Sequence, residues 1–256
     1  MIDYNSLTNR QGLLVWGGEN STDYGMVVRS CPAFDKPTKR TDVFTVPGRN
    51  GSILFQDGSF EDVTRSYSVW IAEEETVDSG GNVSGSLAER VNALTAWLFS
   101  KSGYTRLEDN FEPDIYRLAY YSGANDVSNE LIQYGESTLT FTCRPERFLK
   151  SGETAITVSN GDTLTNPTKF SSKPLIRIDA AGTVNVTING VTITAVVTDY
   201  INIDCETMNA YRLASENLND KITGAFPVIV PGANAVGITV TGTLTAVKIT
   251  PRYFTI

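Results

Sequence analysis

Apolar side chains alternate with polar ones along several short runs of this chain, the period of strands that pack one face on a core. Tyr67-Ser68-Val69-Trp70-Ile71 and Asp42-Val43-Phe44-Thr45-Val46 show this alternation, and Ile115-Tyr116-Arg117-Leu118-Ala119-Tyr120-Tyr121 predicts another strand. In Ser137–Cys143, Leu139, Phe141 and Cys143 alternate with threonines. One segment has the helical period instead: Leu87, Val91, Leu94 and Leu98 form a single apolar stripe. Ser86 and Glu89 have the spacing of a capping box at its start, and Gly103 stops it.

Later in the chain the pattern is strand throughout. Val184-Asn185-Val186-Thr187-Ile188 and Val191-Thr192-Ile193-Thr194 flank Asn189-Gly190, whose residues tolerate the positive φ of a type I′ hairpin turn. Further strands are expected at Leu175–Asp179, Tyr200–Asp204, Val236–Val240 and Thr245–Thr250, with turns at Ala181-Gly182, Pro231-Gly232 and Gly242. This spacing predicts a β-sandwich. Between the two regions lies a polar stretch with Pro and Gly, Arg144-Pro145-Glu146-Arg147-Phe148-Leu149-Lys150-Ser151-Gly152-Glu153, which places a boundary between domains 1–150 and 151–256. The fold class is mainly β, with one α-helix in the first domain.

Composition narrows the chemistry. There is no histidine among the 256 residues, so the commonest general base and zinc ligand are missing. The 21 basic and 29 acidic residues give a net charge of −8, which argues against broad binding to nucleic acid or an anionic membrane. Residues 1–150 carry 14 basic and 21 acidic groups, so nearly all of the excess lies in the first domain. The cysteines Cys31, Cys143 and Cys205 form no CxxC pair and read as small buried apolar residues in a protein made in a reducing cytoplasm. No apolar run is long enough to span a membrane, and the first residues do not resemble a secretory signal.

Searches for catalytic motifs are empty: there is no GxxxxGK[ST], GxSxG, HExxH or GxGxxG. Nothing in the sequence marks Glu108, Asp109, Glu112 or Asp114 as buried. No enzyme, no cofactor and no metal site is expected. The acidic loop carrying Glu73, Glu74, Glu75 and Asp78 reads as a solvated segment that could act by its charge. The most distinctive segment is Thr45-Val46-Pro47-Gly48-Arg49-Asn50-Gly51-Ser52-Ile53-Leu54, a tight connection between apolar strands. Gly48, Arg49 and Gly51 are its candidate assembly residues, with Arg49 able to meet a carboxylate across a subunit contact.

The VPGRNGS segment, the helix ending in Ala96-Trp97-Leu98 and the strand ending in Phe141-Thr142-Cys143-Arg144-Pro145 occur in that order. They are followed by Lys173–Ile178, Thr187-Ile188-Asn189-Gly190, Ile203-Asp204-Cys205-Glu206, Phe226–Gly232 and Ile249-Thr250-Pro251-Arg252. This order resembles the distal tail proteins of long-tailed, non-contractile bacteriophages. The resemblance implies a virion protein of the tail tip, made in the bacterial cytoplasm. Its β-barrel-like first domain would join a homo-oligomeric ring, a hexamer by the family's pattern, and its galectin-like β-sandwich would point outward. The implied partners are the tail-tube protein, the tail-associated hub protein and receptor-binding proteins or other baseplate parts. DNA would pass through the ring unbound, past a wall of acidic and neutral groups to which the first domain's charge contributes.

The alternative is a glycan-binding module that helps the phage adhere to its host. The second domain offers Tyr200, Tyr211, Phe226 and Tyr253 as an aromatic platform, but no tryptophan and no histidine. A galectin-type sugar site therefore cannot be matched here, and scaffold resemblance does not transfer the activity.

Overall fold

The computed structural model describes residues 12–33, 36–71, 76–77, 83–84, 87–121, 123, 136–213 and 216–256. The chain divides into two compact units, Met1–Arg147 with Ile256, and Phe148–Thr255.

The first unit contains β1 (Leu14–Trp16), β2 (Glu19–Asn20), β3 (Met26–Val28), β4 (Asp42–Thr45), β5 (Ser52–Phe55), β6 (Val63–Ile71), β7 (Thr76–Val77) and β8 (Val83–Ser84). The helix α1 (Leu87–Phe99), β9 (Thr105–Asp109), β10 (Ile115–Tyr121) and β11 (Glu136–Leu149) follow. Seven of these strands form a sheet in the order β2-β1-β9-β10-β11-β6-β3. Gly12, just ahead of β1, then exchanges both backbone hydrogen bonds with Val28 of β3, at 2.7 and 2.8 Å. The sheet thus curls back on itself like a barrel. Alternation decides which side chains enter it: in β6, Tyr67, Val69 and Ile71 are fully buried. Trp16 and Tyr67 pack on Phe141 with ring centroids 5.0 and 5.9 Å away. On α1, Val91, Leu94 and Leu98 face this core, as the helical stripe predicts, and Trp97 joins them. Ser86 and its capping box lie outside the described residues.

Two differences from the sequence reading stand out. Strand β11 continues through Arg144 and Pro145 to Leu149 rather than breaking into a polar connection. The Glu112 carboxylate accepts from the guanidinium of Arg147, so a stretch that reads as a polar connection is tied into the fold. Cys31 is exposed, whereas Cys143 and Cys205 are buried.

The second unit contains β12 (Ile156–Val158), β13 (Thr163–Asn166), β14 (Leu175–Ile188), β15 (Val191–Val197), β16 (Tyr200–Asp204), β17 (Asn209–Arg212), β18 (Glu216–Asn217), β19 (Ile222–Gly224), β20 (Gly232–Thr250) and β21 (Phe254–Thr255). Asn189 and Gly190 turn between β14 and β15 with φ of 49° and 81°, the hairpin expected from Asn-Gly. No turn forms at Ala181-Gly182 or Gly242. Both lie inside the long antiparallel pair β14–β20, where Gly182 pairs with Gly242. Their φ values of 133° and 125° let the two backbones approach and bend together, next to a register shift at Asp179/Ala180.

The bend divides the pair between two sets of partners. Ahead of it β14 pairs with β16, and beyond it with β15. On the other side, β20 pairs with β13 near its start and with β12 near its end. Ile176, Ile178, Ile201, Val247 and Ile249 from one half share a core with Val184, Val186, Ile193, Val236 and Ile238 from the other. The result is a β-sandwich folded from one bent ribbon.

Candidate functional site

The VPGRNGS segment forms the tip of an arm. Strands β4 and β5 pair with each other, Asp42 opposite Phe55 and Thr45 opposite Ser52, and with no other strand among the described residues. The ribbon begins at Lys39 and Phe60, an isolated bridge flanked by bonds from Arg40 N to Ser59 O and from Glu61 N to Thr38 O. At a rise of about 3.3 Å per residue, the seven steps from Lys39 to Val46 span roughly 23 Å. Gly48 and Gly51 take φ of 80° and 81° at the tip, a region open to glycine without steric cost. Arg49 is exposed there. The structure thus brings Gly48, Arg49 and Gly51 together in one turn.

Every residue of β4 and β5 is exposed. Val43, Phe44, Leu54 and Phe55 are 57–61% exposed, and Ile53 and Val46 add 42% and 40%. Their alternation reads as a half-buried strand, yet neither face is covered by the described residues. A lone two-stranded hairpin is marginal in water, and an apolar edge is a template for pairing with another chain.

A second feature of the first unit is a buried ionic cluster. Arg65 follows the inward alternation of β6 and is 2% exposed. Its Nη2 donates to Asp109 Oδ2 at 2.8 Å and its Nε to the Tyr67 hydroxyl at 2.9 Å. Tyr67 in turn donates to the same carboxylate oxygen at 2.8 Å. Asp109 Oδ1 accepts the backbone N–H groups of Phe111 and Glu112. Glu112 accepts from Arg117 and Arg147. Burial alone disfavours the Arg65 cation, but Tyr67 and Asp109 more than offset it and hold its pKa above the ordinary arginine value. Burial, then the Asp109 charge, pushes the Tyr67 hydroxyl well up.

Asp109 and Glu112 are therefore buried, at 5% and 9% exposure, contrary to the sequence reading. The signal that could have found them is an arginine in the inward register of β6, since a cation there needs a buried carboxylate. Glu73, Glu74, Glu75 and Asp78 lie outside the described residues. Of the aromatic platform, Tyr253 is buried, Tyr200 lies under the Arg177 guanidinium at 4.1 Å, and Phe226 packs partly against the core. Tyr211 is half-buried, so none of the four is fully presented to solvent.

No group of three or more potential metal ligands occurs among the described residues, and no helix there is long and apolar enough to cross a membrane.

Compared with known proteins, the chain matches no family model and no curated protein. Its fold does match a solved structure, the crystal structure of the SPP1 Dit (gp 19.1) protein, described as a paradigm of the hub adsorption apparatus in phages infecting Gram-positive bacteria. The two align with a TM-score of 0.71 at 14% identity, over 96% of this chain and 99% of that one. The fold is Dit-like and mainly β.

Proposed function

We propose that this Dit-like chain is a structural subunit of a phage tail tip, whose first unit closes into a homo-oligomeric ring through the Asp42–Phe55 arm. The observation that carries the reading is that arm: six large apolar side chains on a ribbon that the described residues leave uncovered. Their natural occupant is a second copy. A ring subunit needs a patch that reaches its neighbour, and a ribbon of roughly 23 Å can reach one. Both of its edges also carry backbone groups free to extend a neighbouring sheet. A hexamer is the ring order that the sequence resemblance implies.

In such a ring the first unit would meet the tail-tube protein on one side and the tail-associated hub protein on the other. The second unit would hold receptor-binding proteins or other baseplate parts. DNA would pass the lumen without a specific site, and the net −7 of residues 1–150 supports a wall that does not retain phosphates. Chemistry is not part of the role.

The test is electron microscopy and mass measurement of the purified protein at high concentration, alone and with tail-tube protein. A ring with a central hole is expected. A strictly monomeric protein under both conditions would overturn the reading.

A further inference from the structure

The first unit contains a cleft lined by four arginines, Arg65, Arg117, Arg144 and Arg147, with Val63 and Cys143 among its apolar walls. The ion pairs around it are not one to one. Asp109 is saturated by Arg65, Tyr67 and two backbone N–H groups. Glu112 is shared by Arg117, Arg147 and, at 3.3 Å, Arg65. Arg144 is paired with Glu146 at 3.3 Å. Three guanidiniums thus contact two carboxylates, so one lacks a carboxylate of its own; Asp62, close enough to raise the Cys143 thiol, accepts from Tyr104 instead.

The unmatched guanidinium has a location. Arg147 Nε is buried and has no hydrogen-bond partner among the described residues, although the same guanidinium donates to Glu112 through Nη2. A buried N–H of a cation without an acceptor is costly, and an anion is what satisfies both the charge and the donor. The Cys143 thiol in the wall supplies no counter-charge, since burial holds it protonated, with its pKa pushed up to about 11. Guanidinium forks match oxyanions by presenting paired donors in one plane.

We propose that this cleft is a binding site for one small oxyanion, of the size of a carboxylate or an inorganic phosphate. It stands independently of the ring reading, because every residue involved belongs to one copy of the chain. The occupant is a free ion or the carboxylate of a protein side chain, and the two sources share the same recognition chemistry.

The test uses the full chain in thermal unfolding and calorimetry, titrated with sodium phosphate, sodium acetate or sodium chloride at constant ionic strength. Saturable stabilisation by phosphate or acetate, absent with chloride, is expected. Phosphate binding stronger than acetate points to a free ion; the reverse points to a carboxylate. Arg147→Gln should weaken binding at least tenfold, and Arg49→Gln on the distant arm should leave it unchanged. Should Arg147→Gln fail to fold, Arg144→Gln serves in its place, because its loss leaves the Asp109 and Glu112 contacts intact. Equal responses to all three salts would overturn the proposal, and so would unchanged affinity in the cleft variant that folds.

Discussion

Phe44 and Ile53 sit opposite each other across the arm of the first unit, and both side chains stand in solvent, 57% and 42% exposed. Cross-strand apolar pairs of this kind stabilise a sheet when a third layer covers them. Among the described residues nothing does, and under the proposed ring reading the cover comes from a second copy.

The first prediction follows from that pair. Phe44→Asp combined with Leu54→Asp removes apolar surface the monomer never buries. Each change should alter monomer stability by no more than about 0.5 kcal/mol, the usual range for surface sites. Assembly should be lost. Light scattering after gel filtration, beside a denaturant melt, separates the two effects; a variant that assembles like the parent would remove the arm from the interface.

The turn at the arm's tip gives a second. Gly48 and Gly51 have open space around the position of a Cβ, so any penalty comes from their positive φ. A β-branched residue there costs on the order of 1–3 kcal/mol. Gly48→Val and Gly51→Val should therefore distort the arm and reduce assembly, with little change in the melting of the core. Asn tolerates the left-handed region, so Gly48→Asn should assemble better than Gly48→Val. Equal assembly of the two would show the tip geometry to be irrelevant.

Much of the architecture was readable in the alternation itself. Tyr67, Val69 and Ile71, the stripe residues Val91, Leu94 and Leu98 of α1, and the Asn189-Gly190 hairpin all lie where periodicity and turn chemistry place them. Local pattern failed where tertiary context decides. Alternation in Asp42–Val46 shows that one face wants cover, not that its own chain supplies it. Gly182 and Gly242 carry turn chemistry, yet their pairing across two strands turns it into a bend. Asp109 and Glu112 look like surface acids until Arg65 is seen to point inward beside Tyr67.

That bend supplies a third prediction. A Cβ on Gly182 would lie 2.1 Å from the Thr241 carbonyl oxygen, and one on Gly242 would lie 2.2 Å from that of Ala181. Neither oxygen belongs to a flexible side chain, so the strands must separate. Gly182→Ala and Gly242→Ala should each destabilise the protein by about 2–4 kcal/mol, in the range of overpacked and backbone-strained sites. Because both relieve strain by opening the same crossing, the double variant should cost less than the sum. Strict additivity in urea denaturation would show the two glycines to be independent.

Thiol reactivity gives a fourth. Cys31 is exposed, while burial pushes the Cys143 thiol up to about 11 and the Cys205 thiol up to about 12. The thiolate is the reactive form, so native protein at pH 8 should be alkylated by iodoacetamide at Cys31 alone. Peptide mass spectrometry reads this directly. Rapid labelling of Cys143 or Cys205 would mean that its unit opens readily.

The last concerns acid. Burial alone would raise the Asp204 pKa, but Arg252 donates to both of its oxygens at 2.7 and 3.1 Å, and the Glu206 N–H adds a bond at 2.9 Å. These contacts win, and the carboxyl titrates below the ordinary 3.8. A group whose folded pKa is depressed contributes stability that is fully present above its unfolded value and disappears as pH falls through the folded one. Asp204→Asn removes that contribution at every pH. The stability gap between parent and variant should thus be widest above about pH 5 and should narrow toward about pH 2. Comparing the two proteins cancels the titration of Asp179, which Arg177 also holds low and which lies on β14. Urea melts across that range provide the measurement. A gap that stays constant with pH would mean that Asp204 titrates alike in the folded and unfolded chains, and that the Arg252 contact adds no charge-dependent stability.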